Sequence, residues 1–168
     1  TTLMDDGRGN QHVVHVLSWL EGKVVGDHQF TWQLLFELGA IVARLGRSLR
    51  GFFHPAAGTR NLPWDNALAA QLLDHVHNLK NASDRTLSQS VLEEFRDTTL
   101  PTLRQQRAQI IHGDVHPYNV LINDDGIVTG MLDFGDMLHG AFVQDLANVI
   151  VDFLVDGGGH SGIIAAFT

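Results

Sequence analysis

The stretch IIHGDVHPYNVLINDDGIVTGMLDFGD, residues 110–136, sets His112, Asp114, His116, Asn119, Asp133 and Asp136 around two short apolar runs. These residue types suit phosphoryl transfer from a magnesium-bound nucleotide. One carboxylate can serve as the proton acceptor for a hydroxyl, and the oxygens of an asparagine and a second aspartate suit a hard cation. No covalent intermediate is required, so the protein's work is positioning and charge neutralisation, done best on short, stiff turns. A second chemistry stays open. Alternate residues of an extended segment share a face, so His112, Asp114 and His116 can form the three-ligand metal site of a hydrolase. That alternative leaves Asn119 and the Asp-Phe-Gly unassigned, and Pro117 favours a loop over a strand.

The elements that must hold these residues follow from hydrophobic period. Ile110-Ile111, Val120-Leu121-Ile122 and residues 127–132 read as short strands, with Asn-Asp-Asp-Gly at 123–126 as a hairpin turn, which leaves the polar residues in loops at strand ends. Upstream, TTLMDDGRGNQHVVHVLSWLEGK reads as a hairpin whose second run spans 13–20. A helix is predicted over 30–49 from Leu34, Leu35, Leu38, Ile41, Val42 and Leu45 at three-to-four spacing. Residues 51–66, GFFHPAAGTRNLPWDN, form a loop rich in turn formers. A second helix is predicted over 64–79 with Asp65 near its start, and a third over 88–107, bent or interrupted at Pro101 and carrying Val91, Leu92, Phe95, Leu100 and Leu103. A last, well-buried helix is predicted over 143–155, from Leu146, Ala147, Val149, Ile150, Phe153 and Leu154. No internal repeat or low-complexity segment is visible.

Composition narrows the partners. At 168 residues and 44% hydrophobic content the chain has the size and apolar content of one domain. Its 19 acidic residues outnumber 11 Lys and Arg, for a formal charge of −8 without a basic block, which argues against nucleic acid. There is no cysteine, hence no disulfide and no thiolate metal ligand. No apolar run is long enough to span a membrane and no secretory pattern opens the chain, so the expectation is a soluble, cytoplasmic protein with no membrane partner.

The pairing of HGDVHPYN with LDFGD resembles the aminoglycoside phosphotransferase and choline kinase-like family, the small-molecule branch of the protein-kinase-like fold, whose pattern is H-G-D-x-H-x-x-N followed by I-D-F-x-D. Within it, GFFHPAAGTRNLPWD and DLANVIVDFLVDGGGHSGIIAAFT look most like the hydroxylysine-kinase-like branch, also found joined to aminotransferase domains. The resemblance implies an α+β fold, mainly the helical C-terminal lobe of a kinase with small antiparallel hairpins at the active site. It implies ATP and Mg²⁺ as cofactors and a phosphate ester of a small hydroxylated, amine-bearing molecule as product; the chain's acidity suits a cationic amine. It makes Asp114 the catalytic residue that orients or deprotonates the hydroxyl, and Asn119 and Asp133 the Mg²⁺ ligands. The segment 16–22 is similar to the family's hinge between lobes, so the backbone of Ser18, Trp19 and Leu20 is expected to hold adenine; Trp19 serves equally as interlobe core. Asp145 matches a position that is mainly structural.

The resemblance also implies that residues 1–20 are the last hairpin of an N-terminal lobe and the start of the hinge, and residues 21–168 a helical lobe cut short at its C-terminus. No phosphate-covering loop or strand lysine precedes Val13, and Lys23 follows the hinge. The piece alone is then expected to be inactive, with a fused neighbour or self-association open, and a non-catalytic regulatory module is the competing function. His112 and His116 are read as hydrogen-bonded buttresses of the loop, with ligand and base as the other options. Asp136 is left between metal, substrate and its own turn.

Overall fold

The computed structural model describes residues 1–26 and 31–155, with side chains described as far as Val151. The predicted helix start at Phe30, the C-terminal ending, His28 and His160, and the side chains of Phe153 and Leu154 lie outside the described residues.

The chain opens as predicted with a hairpin, β1 (Thr2–Asp5) antiparallel to β2 (Gln11–Val14). Its turn is tied by the Asp6 carboxylate, which accepts from Arg8 N (2.8 Å), Asn10 N (3.2 Å) and Asn10 Nδ2 (2.8 Å). These donors hold the Asp6 carboxyl down to about 2. The strand predicted over 13–20 stops at Val14. Thr2 already pairs with Val14, so β1 offers nothing further to bond, and residues 15–22 run without a ladder, leaving Val16, Leu17 and Trp19 exposed.

A second sheet is built in the order β3 (Lys23–Val24), β5 (Val120–Ile122), β6 (Val128–Met131), all antiparallel. The Asn123 turn between β5 and β6 folds as its composition dictates: Asn123 Oδ1 accepts from Asp125 N (3.0 Å) and Ile127 N (2.9 Å), and Gly126 takes φ +76. A bulge in this pair skips Thr129, whose Oγ1 donates instead to Glu21 O at 2.9 Å. β4 (Ala108–Ile111) and β7 (Leu138–Ala141) form a separate two-stranded sheet.

The helix predicted over 30–49 is α1 (Trp32–Ser48), capped by Thr31, whose side chain accepts from Leu34 N. Its buried face carries Leu34, Leu35, Leu38 and Val42, which join Val25, Val115, Val120, Ile122, Met131 and Val149 in one core, with Ile41 and Leu45 partly buried against it. The segment predicted over 64–79 is helical over Asn66–Asn78 and capped by Asp65, but it is wound as a 3₁₀ helix. The third predicted helix starts earlier than expected, as α2 (Ala82–Glu94), capped by Asn81 and with no fully buried residue; Val91 is exposed. A single π turn follows at Phe95–Thr99, then α3 (Leu100–Leu103). Pro101 explains the widening. It has no N–H to give to Asp97 and its ring crowds that carbonyl, so the ladder relaxes and Leu100 N reaches back five residues to Phe95 O. The last helix, α4 (Val143–Val155), buries Gln144 and Asp145 alongside Val149. No helix among the described residues is long and apolar enough to cross a membrane.

Candidate active site

β4 delivers the chain to the HGDVHPYN loop, and β6 delivers it to the Asp-Phe-Gly segment. Gly113 makes the first turn possible. It has φ +85, and a Cβ there would lie 2.7 Å from Asp136 O. The loop then closes on a 3₁₀ turn at Pro117–Asn119, with His116 Nδ1 accepting from Tyr118 N at 3.2 Å.

Asn119 joins the two halves. Its Nδ2 donates to Asp114 Oδ2 (3.0 Å) and to Asp114 O (2.9 Å), while its backbone oxygen accepts from Leu132 N (2.8 Å). Asp114 and Asp133 are therefore gathered at one end of the β5–β6 hairpin, opposite its turn. Asp114 is half-buried, and its second oxygen makes no hydrogen bond among the described residues. His116 Nε2 lies 3.5 Å from Asp114 Oδ2.

His112 is completely buried and both ring nitrogens are committed. Asp114 N donates to Nδ1 (3.3 Å), so Nε2 carries the proton and donates to Leu132 O (2.8 Å). The ring therefore pins the loop to the residue before Asp133, and the Phe134 ring packs on it with centroids 4.9 Å apart. Its hydrogen bonds tie the loop to the end of β6. The hydrolase alternative fails on the same fact, since His112 has no free lone pair for a metal. No cluster of three His, Cys, Asp or Glu suited to a metal occurs among the described residues.

Asp133 takes the left-handed conformation (φ 56, ψ 63), the non-glycine residue that does so among those described. Its Oδ1 accepts from Gly135 N (3.2 Å), and its other oxygen makes no hydrogen bond among the described residues. The donor set fits a hard divalent cation. Asn119 spends its amide nitrogen on Asp114, which turns Oδ1 away, and Asp133 keeps an exposed carboxylate oxygen.

Asp145, 2% exposed at the start of α4, accepts from His112 N and Gly113 N at 2.9 Å each. Burial pushes its carboxyl above the usual carboxylate range, and the two N–H donors pull it back. Sequence reasoning missed its neighbours. Asn148 Nδ2 donates to Gly113 O (3.0 Å), Asn66 Nδ2 donates to Asn148 Oδ1 (3.2 Å), and Gln144 Nε2 donates to Asp65 Oδ1 (3.2 Å). Nothing in their spacing signals this, because the partners lie far along the chain. Asp136, left open by the sequence, pairs with Arg60 at 3.8 Å. Ser18, Trp19 and Leu20 lie in the strandless segment 15–22, where Leu20 approaches Gly130 of β6.

A family model described as the phosphotransferase enzyme family matches residues 3–164. Hydroxylysine kinase of Mus musculus is 29% identical over 182 residues, covering 98% of this chain and 48% of that protein. The hydroxylysine kinase of Danio rerio is 29% identical over 162 residues, covering 90% and 45%. The chain thus spans about half the length of these relatives. Among solved structures, amicoumacin kinase in complex with AMP-PNP, Ca²⁺ and Ami superposes with a TM-score of 0.64 at 17% identity, covering 99% of this chain and 50% of that one. The aminoglycoside phosphotransferase APH(3'')-Id of Streptomyces rimosus, in complex with ADP and streptomycin, gives 0.56 at 20% identity, covering 87% and 57%. The chain shares with them the protein-kinase-like α+β fold.

Proposed function

The chain belongs to the phosphotransferase enzyme family, and we propose that the full-length protein transfers the γ-phosphoryl group of ATP to a hydroxyl of a small, amine-bearing molecule. The observation that carries this is Asn119, whose amide holds Asp114 while its carbonyl holds the strand end leading into Asp133. One residue thereby sets the proton acceptor and the cation ligands at a common point, as positioning catalysis requires.

In this proposal Asp114 Oδ1 faces the acceptor hydroxyl, orients it and takes its proton as the phosphate ester forms and ADP leaves. Asn119 keeps Asp114 Oδ2 occupied, so the carboxylate presents one oxygen in one direction. Asn119 Oδ1 and the free oxygen of Asp133 are the groups that would hold Mg²⁺, whose charge, when bound, offsets that of the nucleotide phosphates. His112 fixes the distance between the two halves, and Asp145 fixes the turn that carries Asp114. The backbone of Ser18, Trp19 and Leu20 would take the adenine, residues 1–20 closing a small lobe and residues 21–168 forming the large one. The net charge of −8 favours a cationic acceptor, and hydroxylysine leads the candidates through the named activity of the similar kinases.

The test is coupled ADP release by the full-length protein with ATP and Mg²⁺ across hydroxylysine, ethanolamine, choline, homoserine and an aminoglycoside. Turnover with one of them, abolished in Asp114→Asn while nucleotide affinity stays within about a few-fold, is the expected result, because Asp114 acts at the transition state. Absence of both turnover and nucleotide binding would instead favour a non-catalytic regulatory module.

A further inference from the structure

Residues 51–66 were assigned no chemistry by their sequence, yet this loop reaches the cation-side half of the site. The His54 side chain caps the turn at Pro55–Gly58, with Nδ1 accepting from Ala56 N at 3.3 Å, and that turn packs on β7. Arg60, which follows, is thereby directed at the segment after Asp133. Its Nη1 donates to Gly135 O and to Met137 O, the latter at 3.2 Å, and its Nη2 lies 3.8 Å from Asp136 Oδ1.

These contacts bear on the strained residue of the site. A non-glycine residue stays left-handed only where its surroundings over-determine it. Asp133 has one local restraint, its own Oδ1 accepting from Gly135 N, and one from packing, Phe134 against His112. His112 and Asn119 hold Leu132 on the side before Asp133, and Arg60 supplies the restraint on the side after it, gripping two carbonyls and a carboxylate within the four residues that follow. The grip needs several N–H donors in a fixed fork, which arginine has and lysine lacks.

We propose that Arg60 is a positioning residue for Asp133: by clamping Gly135, Asp136 and Met137 from a loop some 75 residues away in sequence, it holds Asp133 in the left-handed conformation that turns its carboxylate toward the divalent cation. The inference rests on the phosphotransferase proposal above and deepens it, by assigning part of the cation affinity to a residue that touches neither cation nor nucleotide.

The experiment is Mn²⁺ binding to the full-length protein in the presence of ADP, read by electron paramagnetic resonance, for wild type, Arg60→Ala and Arg60→Lys. ADP affinity is measured in parallel in EDTA. The expected result is Mn²⁺ affinity lowered about tenfold or more in Arg60→Ala, as for other residues that orient a metal ligand, with a smaller loss in Arg60→Lys and unchanged ADP affinity without metal. Unchanged Mn²⁺ affinity in Arg60→Ala overturns the inference. So does an equal loss of ADP affinity with and without metal, which marks a general structural role. Should Arg60→Ala fail to fold, Arg60→Lys decides: wild-type Mn²⁺ affinity in that variant refutes the need for the fork. Wild type that binds no Mn²⁺ with ADP refutes the phosphotransferase proposal itself, and the role of Arg60 with it.

Discussion

Asp145→Ala removes the acceptor for two backbone donors, the buried His112 N and the part-buried Gly113 N, each 2.9 Å from a carboxylate oxygen. A buried N–H left without an acceptor costs about 1–3 kcal/mol, so the pair costs at most about 2–6 kcal/mol, less where water reaches Gly113. Removing a carboxylate that burial disfavours offsets part of that, and the net expected cost is about 2–4 kcal/mol, concentrated at the turn carrying Asp114. At about 1.4 kcal/mol per factor of ten, the amides of His112 and Gly113 should exchange with solvent roughly 30- to 1,000-fold faster, while amides of α1 keep their protection. Hydrogen exchange followed by NMR or mass spectrometry reads this directly. A folded Asp145→Ala variant whose His112 and Gly113 amides exchange within about threefold of wild type would refute the account of Asp145 as the anchor of the loop. The same group has a pH signature. Its folded pKa lies above the ordinary 3.8, so between those values the native state binds more protons than the unfolded state. Its contribution to stability is therefore full below 3.8 and declines as pH rises through the folded value, a slope that Asp145→Ala should abolish in denaturant titrations.

Other outcomes follow from single positions. Gly46→Ala places a Cβ 2.0 Å from the Phe142 ring, so despite alanine's better helix propensity it should destabilise the fold by about 1–3 kcal/mol in urea titrations, with partial recovery in Gly46→Ala/Phe142→Leu. Gly113→Ala meets both a φ of +85 and the Asp136 carbonyl; kcat of the full-length protein should fall at least about tenfold through displacement of Asp114, and wild-type kcat would contradict the loop geometry. Asp6 has a folded carboxyl lowered to about 2 from 3.8, so its support of the β1–β2 turn is present above 3.8 and lost as pH falls through about 2. The Arg8 and Asn10 amide shifts should titrate with that midpoint in wild type and not in Asp6→Asn.

The local chemistry of this protein is written in its sequence. HGDVHPYN and LDFGD hold the polar residues that the fold gathers around Asn119, the Asn-Asp-Asp-Gly turn sets the hairpin between them, and the three-to-four spacing of α1 names the residues that reach the core. These are short-range matters, decided by residues within a few positions of one another, and period and turn chemistry report them faithfully. Sequence misjudged elements whose form depends on a distant partner. The second run of the first hairpin ends at Val14 because β1 ends there. Tertiary structure alone decided what holds the site. Arg60 grips backbone carbonyls of Gly135 and Met137, Asn148 that of Gly113, and His112 that of Leu132. Every residue has such a carbonyl, so no side-chain pattern marks which one a distant donor will meet; only the folded path of the chain selects it.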